Sequence, residues 1–248
     1  MSRLPELISN LRWLFLNPID LTGLRKDIWA WASVPHTKEA LSQLLSILER
    51  RSVSSTFFIS GVCAKQNKEE VHIIKDAGHE IGLHGYRHVP YDMPYVEMMS
   101  DMSQAISVFK EIGVDVKGFR APWLIANKEA YVAAQAFGLK YVSNIKAKKG
   151  LQQLSQYNMV QLPIYLDDET LLQENALETL LESSEPGRVF EFHLLYARQN
   201  MEVIDDFLSK LRIGACTLSQ LAEGKQGVGL SFDIAYLNRL ELVKKLFS

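Results

Sequence analysis

The chain has 248 residues, 47% of them hydrophobic and 10% aromatic, enough to bury a full core without disulfide or metal staples. Its 27 Lys and Arg against 29 Asp and Glu leave a formal charge of −2, and the basic residues are dispersed, which removes the electrostatic case for a nucleic-acid partner. Cys63 and Cys216 are too few and too distant for a disulfide framework, and a reducing cytoplasm fits them.

Residues 1–19 carry Leu4, Leu7, Ile8, Leu11, Leu14 and Phe15 at helical spacing. Glu6, Asn10 and Arg12 interrupt any signal-peptide core, and the segment is too short to span a bilayer. It is expected to be an amphipathic helix that packs on the rest of the protein or, through residues 4–16, on a membrane surface.

After Pro18, short β-rich runs alternate with helical patterns, the order that builds parallel βαβ units. The expected strands are LRKDIWAW, SVSSTFFIS, HEIGLH, VKGFRAPW, KYVSN, MVQLPIYL, GRVFEFHLLY and ACTL. Between them lie helical stretches: KEALSQLLSILERR after a Thr37 cap, KEEVHIIKDAG stopped by Gly78, Pro94 to Ile112, NKEAYVAAQAFG, Thr170 to Glu182, and MEVIDDFLSKL. This alternation predicts an α/β fold, a βα barrel over residues 20–222, followed by a C-terminal helical extension over 223–248.

A barrel of this kind gathers its functional residues at the C-terminal ends of its strands. Asp27, His84 with His88, Arg120, Asp167 with Asp168, and His193 fall at such ends. Imidazoles four apart can approach one cation, although the spacing alone is weak, and Gly82 and Gly85 around His84 suit a strand end that another element approaches closely. The metalloprotease pattern H-E-x-x-H does not apply, because His84 stands five positions after His79, and His79 reads as structural. Taken singly, His193 reads as a core histidine, Arg120 as half of a structural ion pair and Asp167–Asp168 as a helix cap. Together at one end of a barrel they supply complementary chemistry.

In this order the segments STFF, GHEIGLHGYRH, FRAPW and FEFH resemble the motifs of the NodB-homology polysaccharide deacetylases, carbohydrate esterase family 4, over roughly residues 20–222. The resemblance implies a distorted (β/α)7 barrel and metal-assisted hydrolysis of an N-acetyl or N-formyl amide on an amino sugar, lipid-linked sugars included. It implies His84 and His88 as ligands of a divalent metal, zinc first, with cobalt, nickel or manganese as alternatives. Arg120 would orient the catalytic aspartate, and His193 would be the general acid, tuned by Asp167 or Asp168. Pro122 and Trp123, with Tyr86, would line the substrate groove, and the backbone N–H just after Pro122 would meet the oxyanion. The family's first motif holds two acidic residues. In LRKDIWAW, Asp27 matches one of them, as base or as metal ligand, while Trp29 or Lys26 stands where the other belongs, a loss that water, Glu191 or another acid would have to make good. Two functions follow: a cytoplasmic amide hydrolase, in one version working on a membrane-linked substrate, or a degenerate relative that lacks the metal and binds a carbohydrate or partner without turnover.

Overall fold

The computed structural model describes residues 37–147, 152–168, 185–211 and 213–234, all within one compact unit. Residues 1–19, Asp27, Trp29, the helix expected over 170–182 and residues 235–248 lie outside the described residues. No described helix is long and apolar enough to cross a membrane.

Helix α1 (Thr37–Arg50) buries the apolar stripe that its spacing announces, Ala40, Leu41, Leu44, Leu45 and Leu48. Strand β1 (Thr56–Ile59) is buried at every position and runs into α2 (Gly61–Gln66), where the Ser60 side chain accepts the Cys63 N–H. Helix α3 (Lys68–Asp76) stops at Gly78, whose φ of +83° is the left-handed turn expected of it. Next come β2 (Glu80–Leu83), α4 (Tyr95–Glu111), β3 (Gly118–Phe119), α5 (Lys128–Ala136) and β4 (Tyr141–Val142). Strands β5 (Gln152–Leu154) and β6 (Met159–Gln161) precede β7 (Ile164–Asp167); the expected strand MVQLPIYL is split at Pro163, which has no N–H for the ladder. Strand β8 (Val189–His193) ends at His193, so Leu194–Tyr196, expected to continue it, instead open α6 (Leu194–Gln199). The remaining elements are α7 (Met201–Lys210), β9 (Ala215–Cys216), α8 (Leu218–Ala222) and β10 (Val228–Ile234).

The sheet runs β5-β6-β4-β3-β2-β1-β10-β8-β7, with β9 also on β10. Every pairing is parallel except β5 with β6. It curls into a half-barrel flanked by helices. Its far edge returns toward β4, where the Ile164 N–H donates to the Ile145 carbonyl and the Ala147 N–H to the Ile164 carbonyl.

Strand β10 corrects the expected C-terminal helical extension over 223–248. VGLSFDI is apolar on both faces, as a strand covered on both sides must be, and all seven residues are buried. The helical spacing read from residue 233 onward hid this run, and the boundary at 222 cut it away from the barrel. The last described strand therefore sits in the middle of the sheet, between β1 and β8.

Register then sorts the side chains. Phe57, Phe232 and Phe192 are neighbours across β1, β10 and β8 and stack at centroid distances of 5.2 and 5.4 Å. Because successive side chains alternate faces, the next positions along, Phe58, Asp233 and His193, share the opposite face. One face is core and the other carries the chemistry.

Candidate active site

Arg120 follows β3 directly and is fully buried. Its Nε donates to the Ser143 carbonyl at 3.2 Å, Nη2 to Ser143 Oγ at 2.9 Å and Nη1 to Asp233 Oδ1 at 2.7 Å. Nη1 also lies 3.3 Å from Glu191 Oε1, and the guanidinium sits 4.3 Å over the Phe58 ring. Gly82 is what lets that ring lie flat on β2, since a Cβ there would come within 2.6 Å of it. The carboxylate that the sequence reading sought beside Arg120 is thus present as Asp233, with Glu191 next to it. Of the two, Asp233 was missed, and an acid near the end of the strand-like run VGLSFDI was the signal available for it.

His84, directly after β2, is 2% exposed. Its Nδ1 stands 2.9 Å from the Arg120 carbonyl oxygen, which can only accept, so Nδ1 carries the proton and Nε2 a lone pair. Burial pushes the His84 pKa down to about 3, which keeps the ring neutral. Nε2 faces Asp233 Oδ2 at 3.9 Å. Two buried acceptors facing each other are unfavourable unless a cation lies between them. The His88 ring is 4.9 Å from that of His84, and the Trp123 ring is 4.6 Å from His88. Two imidazoles and a carboxylate are donors of the kind a divalent metal ion takes. Among the described residues, the group whose ligand atoms all lie within 4.8 Å of one another is a different one, Glu191, His193 and Asp233.

The loop that presents His88 is held from α4. Asp101 is 1% exposed and accepts the Tyr86 backbone N–H at 2.6 Å, Arg87 Nε at 2.9 Å and the Tyr91 hydroxyl at 2.7 Å. Gly85 turns the chain at φ +68°, and His88 and Trp123 take φ of +56° and +55°, left-handed conformations that cost a non-glycine residue on the order of 1 kcal/mol or more. Tyr86 is not brought to the groove: its ring packs over Gly61 at the start of α2, where a Cβ would meet it at 2.5 Å. Pro122 opens a single 3-10 turn and is buried, while Trp123 is 52% exposed beside His88.

Between the two aspartates at the end of β7, the geometry singles out Asp168. Its Oδ2 accepts the His193 backbone N–H at 2.6 Å and its Oδ1 lies 3.1 Å from His193 Nδ1. Asp167 pairs with Lys146 instead. Burial opposes a charge on His193, but the hydrogen bond and charge of Asp168, with Glu191 and Asp233 nearby, overcome it and raise the pKa above its ordinary value. The His193 side chain remains 45% exposed, open to the groove solvent. Burial pushes Glu191 upward against the pull of Arg120. His79 plays the structural part expected: its Nδ1 accepts the Ser55 N–H and its ring meets Phe57 edge-on at 5.3 Å. The cluster therefore offers a carboxylate fixed on a guanidinium, an imidazole pair able to hold a cation, and a second imidazole biased toward its protonated form.

Residues 30–142 match the family model described as polysaccharide deacetylase. The chain is 29% identical over 85 residues to a peptidoglycan deacetylase of Helicobacter pylori, covering 34% of this chain and 29% of that one. It is 21% identical over 172 residues to the peptidoglycan-N-acetylmuramic acid deacetylase PdaA of Bacillus subtilis, covering 68% and 60%. The chain thus spans less than two thirds of either relative. Among solved structures, a carbohydrate esterase family 4 pseudoenzyme from Bacillus anthracis superposes with a TM-score of 0.60 at 18% identity, over 79% of this chain and 66% of that one. A family 4 carbohydrate esterase from Streptomyces lividans gives 0.53 at 16% identity, over 77% and 91%. Residues 30–142, a little under half of the chain, thus resemble the polysaccharide deacetylases, and the fold is the one seen in carbohydrate esterase family 4 structures.

Proposed function

We propose that this protein removes an N-acetyl group from an amino sugar, with a glycan of the peptidoglycan type as the first substrate to try and a lipid-linked N-formyl sugar as the second. The observation that carries the reading is Asp233, held by Arg120 through one oxygen and facing the bare Nε2 of His84 with the other. A divalent ion held by His84 and His88, with zinc best suited to imidazole donors, would polarise the amide carbonyl and lower the pKa of a bound water. Asp233, which accepts a hydrogen bond from the adjacent guanidinium, takes the proton of the attacking water. The Trp123 backbone N–H, just after Pro122, donates to the oxygen that gains charge. His193, protonated through its bond to Asp168, delivers a proton to the departing amine. The exposed Trp123 indole gives the sugar an apolar face to lie on.

A second reading, carbohydrate binding without turnover, rests on one observation. Ile234, adjacent to Asp233, is apolar and buried, so β10 brings no second acid beside Asp233. Acetate release from N-acetylglucosamine oligomers and peptidoglycan, measured with added zinc and then with chelator, separates the two. The proposal expects turnover that chelator abolishes and zinc restores. Saturable glycan binding with no acetate release at any metal concentration would favour the second reading.

A further inference from the structure

The proposed oxyanion donor, the Trp123 N–H, sits in a turn that the chain holds against its own backbone preferences. Trp123 and Leu124 take φ of +55° and +60°, two successive left-handed conformations, neither of them in a glycine. Inside the turn the Leu124 N–H donates to the Ala121 carbonyl at 3.0 Å and the Ile125 N–H to the Pro122 carbonyl at 3.2 Å. Beyond it the Tyr91 N–H donates to the Ile125 carbonyl at 2.9 Å, which ties the exit to the loop after His88. The entry, at Ala121, has to be secured from the other side.

Strand pairing does not secure it. Strands β3 and β4 pair in parallel through Phe119 and Val142, and the Ser143 N–H donates to the Phe119 carbonyl at 3.0 Å. A regular parallel ladder continues two residues on, with the Ala121 N–H donating to the Ser143 carbonyl. That carbonyl accepts Arg120 Nε at 3.2 Å instead. The Ala121 N–H goes to a side chain, Asn144 Oδ1, at 2.8 Å, and Asn144 is 3% exposed. Successive residues after β4 thus fasten successive residues after β3: Ser143 takes Arg120 Nε and Nη2, and Asn144 takes the Ala121 N–H. The guanidinium that holds Asp233 and the turn that presents the Trp123 N–H hang on adjacent residues.

We propose that Asn144 is a positioning residue: by taking the Ala121 N–H it fixes where the chain leaves the sheet, and so where the Trp123 N–H points at the reacting amide. The proposal rests on the amide-hydrolysis reading above. Asn144 touches no substrate in this role. It acts through Ala121 and Pro122, whose ring-locked φ passes the constraint on to Trp123.

Two measurements on the full chain test it, one of them without turnover. Asn144→Leu removes the acceptor at similar volume. Its hydrogen–deuterium exchange over residues 118–127 should quicken by about 10-fold, the opening that loss of one hydrogen bond allows, with β1 and β10 unchanged. In acetate release from N-acetylglucosamine oligomers with zinc, the same variant should lose about 10- to 100-fold in kcat, up to the lower end of what an oxyanion donor is worth, with KM close to wild type. Asn144→Asp, which keeps an acceptor oxygen at the same place, should recover most of both losses. With wild type active, kcat in Asn144→Leu within about threefold of wild type overturns the proposal and leaves the hydrolysis reading standing. So does a fall in kcat/KM carried by KM alone, or exchange that quickens evenly over the whole sheet, since either marks a purely structural role. Absence of acetate release by wild type overturns the hydrolysis reading and the positioning role with it.

Discussion

Asp168 and His193 meet through two contacts, backbone and ring, and the ring contact governs protonation. Because the pKa of His193 is raised, the ring is protonated at neutral pH and loses its proton only as pH climbs through the raised value. The pairing stabilises the fold fully below the ordinary histidine value, about 6.5, and less as pH rises above it. Activity should follow the same sign. In Asp168→Asn the alkaline limb of the acetate-release profile is expected to move down by roughly 1–2 pH units, as the loss of an adjacent opposite charge dictates. An unmoved limb would show that another group sets it. At this scale His84, His88, Arg120 and His193 were legible in sequence because each sits in a short motif with fixed spacing. Asp233 was not, since a single acid in an apolar strand looks like a tolerated exception until the strand's neighbours are known. Trp123 stands exposed beside His88 while Tyr86 packs over Gly61: sequence places a ring in a loop but does not say which way it turns.

Strand β10 decides how the site is assembled. Its Phe232 stacks on Phe57 and Phe192, so the residue before Asp233 anchors three strands on the core face. Truncating a ring so buried costs about 3–5 kcal/mol, and Phe232→Ala should lower the unfolding free energy in urea by that amount. A loss below about 1 kcal/mol would place the strand at a frayed edge instead. Helices α1, α3, α4, α5 and α7 were readable because a 3.6-residue apolar stripe persists over several turns. Strand β10 was hidden because a run buried on both faces has no alternation, and it adjoins a segment with helical spacing. The early end of β8 has the same kind of cause: the apolar residues after His193 serve equally as strand or as the buried side of a short helix, and α6 buries Leu194 and Ala197.

On the scale of the whole molecule, the order of strands along the chain differs from their order in space. The expected barrel was right in kind, an α/β half-barrel with its chemistry at the C-terminal strand ends. Only pairing partners reveal that the strand between β1 and β8 comes from residues 228–234, because no local pattern encodes which strands will be neighbours. The Asp233 carboxylate then reaches Arg120 across 113 residues of sequence. The central claim is that Asp233 fills the role first read into Asp27. Acetate release by Asp233→Asn and Asp27→Asn, each loaded with zinc and compared with wild type, tests it most directly. The account predicts that Asp233→Asn loses roughly 10²–10⁴-fold in rate, the scale of a general base, while Asp27→Asn stays close to wild type. Near-normal turnover in Asp233→Asn together with collapse in Asp27→Asn would contradict it.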